Sequence, residues 1–121
     1  MSYDITFKVK VEGTEQYVPI GDCNANITWN VRNIIELSTG LPWLNEENNG
    51  LCKDVIPHIE KGLHELKTHP EKYKPYEAPN GWGTVNGTIH FYEEIIKAWR
   101  YFKQWNEKLA EVAVFWICKE V

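Results

Sequence analysis

Two short polar segments carry the residue types best suited to binding chemistry. The first runs from Asn24 to Asn30, with Asn26, Thr28 and Trp29 between them, and it ends just before a predicted helix. Asn amides both donate and accept hydrogen bonds, and helix N-termini suit anionic groups. The segment therefore predicts a set of polar contacts beside one aromatic stacking surface.

The second segment is the sequence PNGWG at residues 79–83, in which glycines flank a Trp and let the backbone turn sharply around a large ring. Together the two segments predict a site for a ligand or a protein partner. The alternative is structural: the Asn side chains cap turns and the Trp pins a long loop to the core, which is the commoner role of such residues. The predicted site consists of Asn24, Asn26, Thr28, Trp29, Asn30, Arg32, Trp43, Asn80 and Trp82.

Catalytic and metal chemistry have weaker signals. The pairs Glu60–His64 and His90–Glu94 have the i, i+4 spacing of acid–base partners, but that spacing is commoner in surface ion pairs. The chain has no G-x-S-x-G elbow, no P-loop and no dinucleotide-binding glycine motif. Zinc sites favour C-x-x-C spacing, whereas the cysteines lie far apart at Cys23, Cys52 and Cys118. We expect no catalytic residue, no metal and no cofactor, and thus a protein that is not an enzyme.

Composition and charge restrict the class of protein further. The 121 residues fit one domain over 1–121, and 43% hydrophobic residues suit a globular chain. The formal net charge of −4, from 13 basic and 17 acidic residues, disfavours nucleic acid as a partner. The start of the chain does not resemble a signal peptide, and no apolar run is long enough to span a membrane. Three widely spaced cysteines are typical of reduced thiols, which predicts a cytoplasmic protein.

Hydrophobic periodicity predicts the element order ββαααβ. Alternation from Ile5 to Val11 predicts a first strand, residues 16–20 form a second, and residues 21–26 form a tight loop. Helices are predicted over about 31–38, 54–68 and 84–105, and a last strand, apolar on both faces, over 112–118. We therefore expect an α+β fold, with a small three-stranded antiparallel or mixed sheet packed against three helices. The N-terminal hairpin and the C-terminal strand make up that sheet.

The ends of the first two helices are also predicted. Asn30 caps the first helix, and Gly40 ends it in the left-handed conformation. Asp54 caps the second helix, which places Pro57 in its first turn, where the missing N–H costs nothing.

The chain is rich in tryptophan, with six Trp in 121 residues. Trp99 lies on an apolar helical stripe and Trp116 in an apolar strand, whereas Trp105 at a helix end has no clear role. The other three, Trp29, Trp43 and Trp82, lie in or beside irregular segments where packing does not obviously require them. These three residues mark the first place to look for a binding surface.

Four motifs occur in register along residues 1–102: MSYDI at 1–5, NITWN at 26–30, IPHIEKGL at 56–63 and PNGWG at 79–83. With them the chain resembles a set of small uncharacterised proteins encoded by phages and prophages. In that set an MSYDI-type opening is followed by N-[IV]-T-[YW]-N, an I-P-x-[IL]-E helix and an N-G-W-G loop. Residues 41–51 and 99–121 depart from the pattern. The resemblance implies phage origin rather than a mechanism.

These observations predict a phage accessory protein that binds and inhibits a host immune protein, a counter-defence role in the host bacterial cytoplasm. The alternative is a binder that sequesters a small nucleotide immune signal, with Trp29 or Trp82 stacking on the base. The presence of only two Arg, Arg32 and Arg100, counts against a multiply phosphorylated ligand. A small hydrolase and a virion assembly protein are less favoured. The expected partner is thus a host protein or a nucleotide-like ligand, and neither a nucleic acid nor a membrane.

Overall fold

A four-stranded antiparallel sheet forms one layer of the structure, a computed structural model that describes residues 2–41 and 47–120. At residues 22, 24, 47–49 and 119–120 it describes the backbone alone. The strands are β1 (Ser2–Lys10), β2 (Tyr17–Thr28), β3 (Glu47–Leu51) and β4 (Val114–Glu120), in the order β2-β1-β4-β3. The helices are α1 (Arg32–Thr39), α2 (Cys52–Thr68), α3 (Val85–Trp105) and the short α4 (Glu107–Ala110). The fold is α+β, as the sequence predicted.

Alternate residues of the central strands form the sheet's contribution to the core. Tyr3, Ile5 and Phe7 of β1 are buried, because a strand presents every second side chain to the same face. Ile5 lies opposite Ile117 of β4, and Phe7 lies opposite Phe115. The helices cover this face of the sheet, so these residues join the apolar stripes of α1, α2 and α3 in one core.

The opposite face of the sheet carries half-buried polar and aromatic side chains and no helix from the described ranges. Lys8 places its Nζ 4.1 Å from the ring centroid of Trp116, and the ring of Tyr17 lies 5.0 Å from the same Trp. The last strand carries apolar side chains on both faces, as predicted, because Phe115 and Ile117 join the core while Trp116 lies on the other side. Trp116 belongs to the open face, where a cation and a second aromatic ring cover part of it.

Strand β2 is much longer than predicted and includes residues 21–26, which were predicted to form a tight loop. The Asn and Gly content misled that prediction, because inward positions alternate with polar ones. Gly21, Cys23 and Ala25 line the inner side of β2. Three residues, 23–25, lie opposite the single residue Ile5, which makes a bulge in the pairing with β1. Small inward side chains on β2 leave room for α3, which packs mainly on this strand.

The sheet contains one strand more than the three that were predicted. Strand β3 falls within a stretch expected to be irregular and pairs with β4, Glu47 lying opposite Ile117. Its composition, ENNGL, has no strand pattern, so tertiary pairing overrides local propensity here. Because β3 and α4 were not anticipated, the predicted order ββαααβ lacks two elements.

The helix limits agree closely with the prediction, but two caps do not. Asn30 lies in a 3₁₀ turn, Trp29–Val31, and no side chain caps α1. Gly40 ends α1 with φ 75°, as predicted. Helix α2 begins at Cys52 rather than at Asp54, which places Pro57 in its second turn. None of the described helices is long and apolar enough to cross a membrane.

Candidate functional site

The first predicted segment divides between two surfaces. Asn26 lies on the open face of the sheet, where its side-chain amide donates to Asp4 Oδ1 at 2.6 Å. Thr28 lies in the last position of β2, opposite Ser2. Asn24 belongs to the same strand, but its side chain lies outside the described part of the chain. The strand alternation thus separates these residues from the helix end that follows.

Beyond β2 the chain makes a 3₁₀ turn that places Trp29 against the core. The Trp29 ring stacks on Tyr3 with centroids 5.3 Å apart, and the Arg32 guanidinium lies 5.6 Å from the centroid of Trp29. Arg32 also reaches Glu36, one turn along α1, at 3.5 Å. The Trp29 ring therefore already has an aromatic and a cationic neighbour, so it offers less free surface than the sequence suggested.

Tyr3 beneath this stack is 1% exposed, and its hydroxyl has no hydrogen-bond partner in the described ranges. Burial raises the pKa of the Tyr3 phenol to about 12, because the charged phenolate would lose its hydration. Arg32 opposes this increase and Glu36 adds to it. The group is consequently neutral at ordinary pH.

The second predicted segment forms a tight loop before α3. Asn80 Oδ1 accepts the backbone N–H of Trp82 at 2.9 Å, and Gly81 and Gly83 have φ 78° and 106°. These conformations favour glycine, as the sequence indicated. Trp82 is 69% exposed and does not pin the loop to the core. The structural alternative is therefore wrong for the Trp82 side chain, although it holds for the turn that Asn80 makes.

Gly83 joins the two predicted segments. A Cβ at this position would lie 3.0 Å from the Cβ of Asn30 and 3.0 Å from Cγ1 of Val31. The structure thus brings part of the predicted site together as one surface, which we name the Trp82 surface and define as Trp29, Asn30, Arg32, Asn80 and Trp82. Asn26 and Thr28 lie on the sheet face instead, and Trp43 lies outside the described residues.

Sequence analysis missed a second surface at the other end of α3. Tyr101 is 69% and Trp105 is 68% exposed, and both line a cavity of about 550 Å³ between α3 and β2. We name it the β2–α3 groove. The signal lay in a second stripe of α3 beside the core stripe, with Ala98, Tyr101 and Trp105 three or four positions apart. The groove is lined by Phe7, Ile20, Gly21, Cys23, Glu94, Lys97, Ala98, Tyr101, Phe102, Trp105 and Asn106.

The thiols and imidazoles offer little for catalysis. Cys52 is buried, and burial raises the pKa of its thiol to about 12, which disfavours the thiolate needed for attack. His90 and Glu94 lie 3.9 Å apart on an exposed helix face, whereas the Glu60 carboxylate lies 3.6 Å from Arg100. No group of three or more His, Cys, Asp or Glu in the described ranges could hold a metal ion.

No protein-family model matches the chain, and neither a curated protein nor a solved structure shows significant similarity to it.

Proposed function

We propose that this protein is a non-enzymatic accessory binding protein of a phage or prophage, acting in the host cytoplasm by binding and inhibiting a host immune protein. The observation that carries the proposal is the exposure of three large aromatic side chains. Trp82, Tyr101 and Trp105 are each more than two-thirds exposed to solvent. Trp and Tyr dominate the binding energy of protein interfaces, because a partner removes a large apolar area from water at low entropic cost.

The phage origin rests on the sequence motifs, two of which meet at Gly83. The NITWN and PNGWG motifs are separated by almost fifty residues, yet Gly83 lies directly against Asn30 and Val31. Motifs that meet in space are suited to a shared surface. That surface presents Trp82 to solvent, and an exposed Trp of this kind fits a protein partner.

The alternative function, sequestration of a nucleotide signal, has less support. Its polar contacts were to come from Asn24, Asn26, Thr28 and Asn30. The structure separates two of these, because Asn26 bonds Asp4 on the sheet face while Asn30 lies at the Gly83 contact. Trp29 already has Tyr3 and Arg32 against its ring. Native mass spectrometry of the protein from producing cells tests this alternative, since a retained nucleotide would favour it.

The test of inhibition is phage plating. The protein is produced in bacterial strains that each carry one defence system, and plaques of a sensitive phage are counted. We expect plating to recover in at least one strain and to be lost again with Trp82→Ala or with the double variant Tyr101→Ala/Trp105→Ala. Tyr76→Ala, which removes another exposed aromatic side chain, is the matched control. Recovery in no strain, or equal recovery with every variant, would contradict the proposal.

A further inference from the structure

Helix α3 lies beneath the edge of the sheet rather than beneath its centre. It packs mainly on β2, and β2 is the outermost strand in the order β2-β1-β4-β3. Its core stripe reaches inward, where Trp99 and Phe102 contact Phe7 at 5.3 and 5.7 Å between centroids. Its next stripe, with Tyr101 and Trp105, is exposed and borders the cavity beside β2, and the described part of the sheet has no strand beyond β2. Because the described sheet ends at β2, no strand covers these two aromatic rings, and they are exposed to solvent.

The groove beside this stripe borders the free edge of the described sheet, where a further strand would pair with β2. Its cavity of about 550 Å³ is bounded by Ile20 and Gly21 of β2 on one side and by Tyr101 and Trp105 on the other. Ile20 is the extra residue of a bulge, since Gly21 pairs with Phe7 and the next pairing is that of Pro19 with Lys8. Most of the lining residues are apolar in type, and the two charged ones, Glu94 and Lys97, carry opposite charges. Because these two charges offset each other, a bound segment whose side chains facing the groove are uncharged would fit this lining.

We propose that the β2–α3 groove binds an extended segment of a partner protein, which adds to the edge of β2 as a further strand. Main-chain hydrogen bonds to β2 would supply affinity, and alternate apolar side chains of the segment would cover Tyr101 and Trp105. Because Pro19 has no N–H to donate, the added strand pairs with β2 from Ile20 onward. This inference rests on the proposed function only in requiring that the partner is a protein.

A second copy of the chain fits this position poorly. Strands in a sheet lie about 4.8 Å apart, whereas packed helices need about 8–10 Å between their axes. Pairing β2 with β2 of a second copy would bring two α3 helices under adjacent strands, with Tyr101 and Trp105 of both copies between them. A segment with no helix beneath it avoids this clash. The geometry therefore favours a single extended chain over a dimer.

The test uses a library of random peptides about ten residues long, which is the upper range for a strand, selected against the purified protein. We expect enriched peptides with alternating apolar residues. When one binds, the amides of β2 from Ile20 onward should exchange more slowly with deuterium. Binding should weaken at least about tenfold with Tyr101→Ala/Trp105→Ala, as for the loss of an aromatic anchor, and remain unchanged with Tyr76→Ala.

N-methylation of the selected peptide distinguishes strand addition from side-chain docking. In an added strand only every second amide faces β2, so methylating one alternate set should abolish binding while methylating the other set leaves it nearly intact. Equal tolerance of both sets, enrichment of helical peptides, or enrichment of none would overturn the proposal. So would concentration-dependent dimerisation that protects the β2 amides without peptide. Each of these results leaves the plating assay free to support inhibition through the Trp82 surface, so the two proposals can fail separately.

Discussion

Among the tryptophans that the structure describes, the two most exposed, Trp82 and Trp105, lie at opposite ends of α3, which spans about 30 Å with its 21 residues. Trp82 is exposed although its backbone is held firmly, by the Asn80 turn and by the close approach of Gly83 to Asn30. Trp105 is exposed although it lies on a regular helix beside a cavity. One exposure results from local loop chemistry, and the other results from the position of a helix relative to a sheet.

If the two proposals hold, this difference implies a different mode of partner recognition at each end. The Trp82 surface presents a ring on a short loop. The cavities at the other end of α3 and along α2 are lined by other residues, so Trp82 does not border these cavities. The Trp82 surface suits insertion of the Trp into a pocket of the partner. The β2–α3 groove has a floor and a strand edge, so it suits reception of a segment from the partner. Substitutions at five positions test this contrast.

Among the substitutions that compare the two ends of α3, the largest effect is expected for Gly83→Ala. Its φ of 106° is strained for any residue with a Cβ, and that Cβ would meet Asn30 and Val31 at 3.0 Å. We expect the free energy of unfolding to fall by about 3 kcal/mol, from backbone strain and overpacking together, as measured by urea denaturation. Gly81→Ala is the matched control, because its φ is 78° but a Cβ there meets nothing within 4 Å.

Gly81→Ala should cost only the backbone term, about 1 kcal/mol. If both variants lost equal stability, the contact between the two motifs would contribute nothing, and the Trp82 surface would be held by turn geometry alone.

Gly21→Ala makes the equivalent change at the other end of α3. Gly21 has no positive φ, so the cost comes only from a Cβ 3.1 Å from Phe7 Cδ2 and 3.2 Å from Phe102 Cδ2. We expect a loss of about 1–2 kcal/mol in urea denaturation, because the rings must shift. Phe102→Leu removes one obstructing ring, and the double variant should lose less stability than the two single variants combined. Strict additivity would show that α3 does not depend on a small residue at this point of β2.

Much of the fold followed from periodicity, which is a local signal. The stripes of α2 and α3 predicted both helices, and the alternation in β1 predicted its buried face. The polar composition of residues 21–26 hid half of β2, because its inward residues are small rather than strongly apolar. Strand β3 was invisible for a different reason, since it is stabilised by pairing with β4 and not by its own residues.

The candidate site divides in the same way. The loop of Trp82 was predicted from Gly and Asn flanking a large ring, and the structure confirms both positive-φ glycines. The second stripe of α3 could have marked Tyr101 and Trp105, but the β2–α3 groove itself could not be predicted, because it depends on the strand order at a distant part of the chain. Equally, alternation along β2 turned Asn26 away from Asn30, and that separation appears only once the strand's true length is known.

Tyr3→Phe tests whether the stack beneath Trp29 is purely structural. The Tyr3 hydroxyl is buried with no partner in the described ranges, so its removal should leave stability unchanged or raise it by up to about 1 kcal/mol. Tyr92→Phe is the matched control, since the Tyr92 hydroxyl lies 2.7 Å from Ser38 Oγ and its loss should cost about 1 kcal/mol. A clear loss with Tyr3→Phe would mean that the hydroxyl has an unrecognised role at the Trp82 surface.

Burial of the Tyr3 phenol also predicts that the stability of the protein depends on pH in the alkaline range. The pKa of Tyr3 rises from 10.0 to about 12 on folding, so the unfolded chain releases this proton first. Stability should therefore be full below pH 10 and decrease as pH rises toward 12. In Tyr3→Phe the decrease should be shallower, whereas a slope equal to that of the unmodified protein would contradict the burial of the phenol.

The smallest effects on stability are expected for the two exposed tryptophans at the opposite ends of α3, which we propose as partner-binding residues. Trp82→Ala and Trp105→Ala should each change the free energy of unfolding by less than about 0.5 kcal/mol, because both rings already lie mostly in water. Trp99→Ala, which removes a buried ring of the same helix, should cost about 3–5 kcal/mol and calibrates the measurement. A large loss with Trp105→Ala alone would show that its ring supports α3 against β2. In that case the groove would be a packing defect that Trp105 partly fills, and Tyr101 would be the aromatic side chain left for a partner at that end of α3.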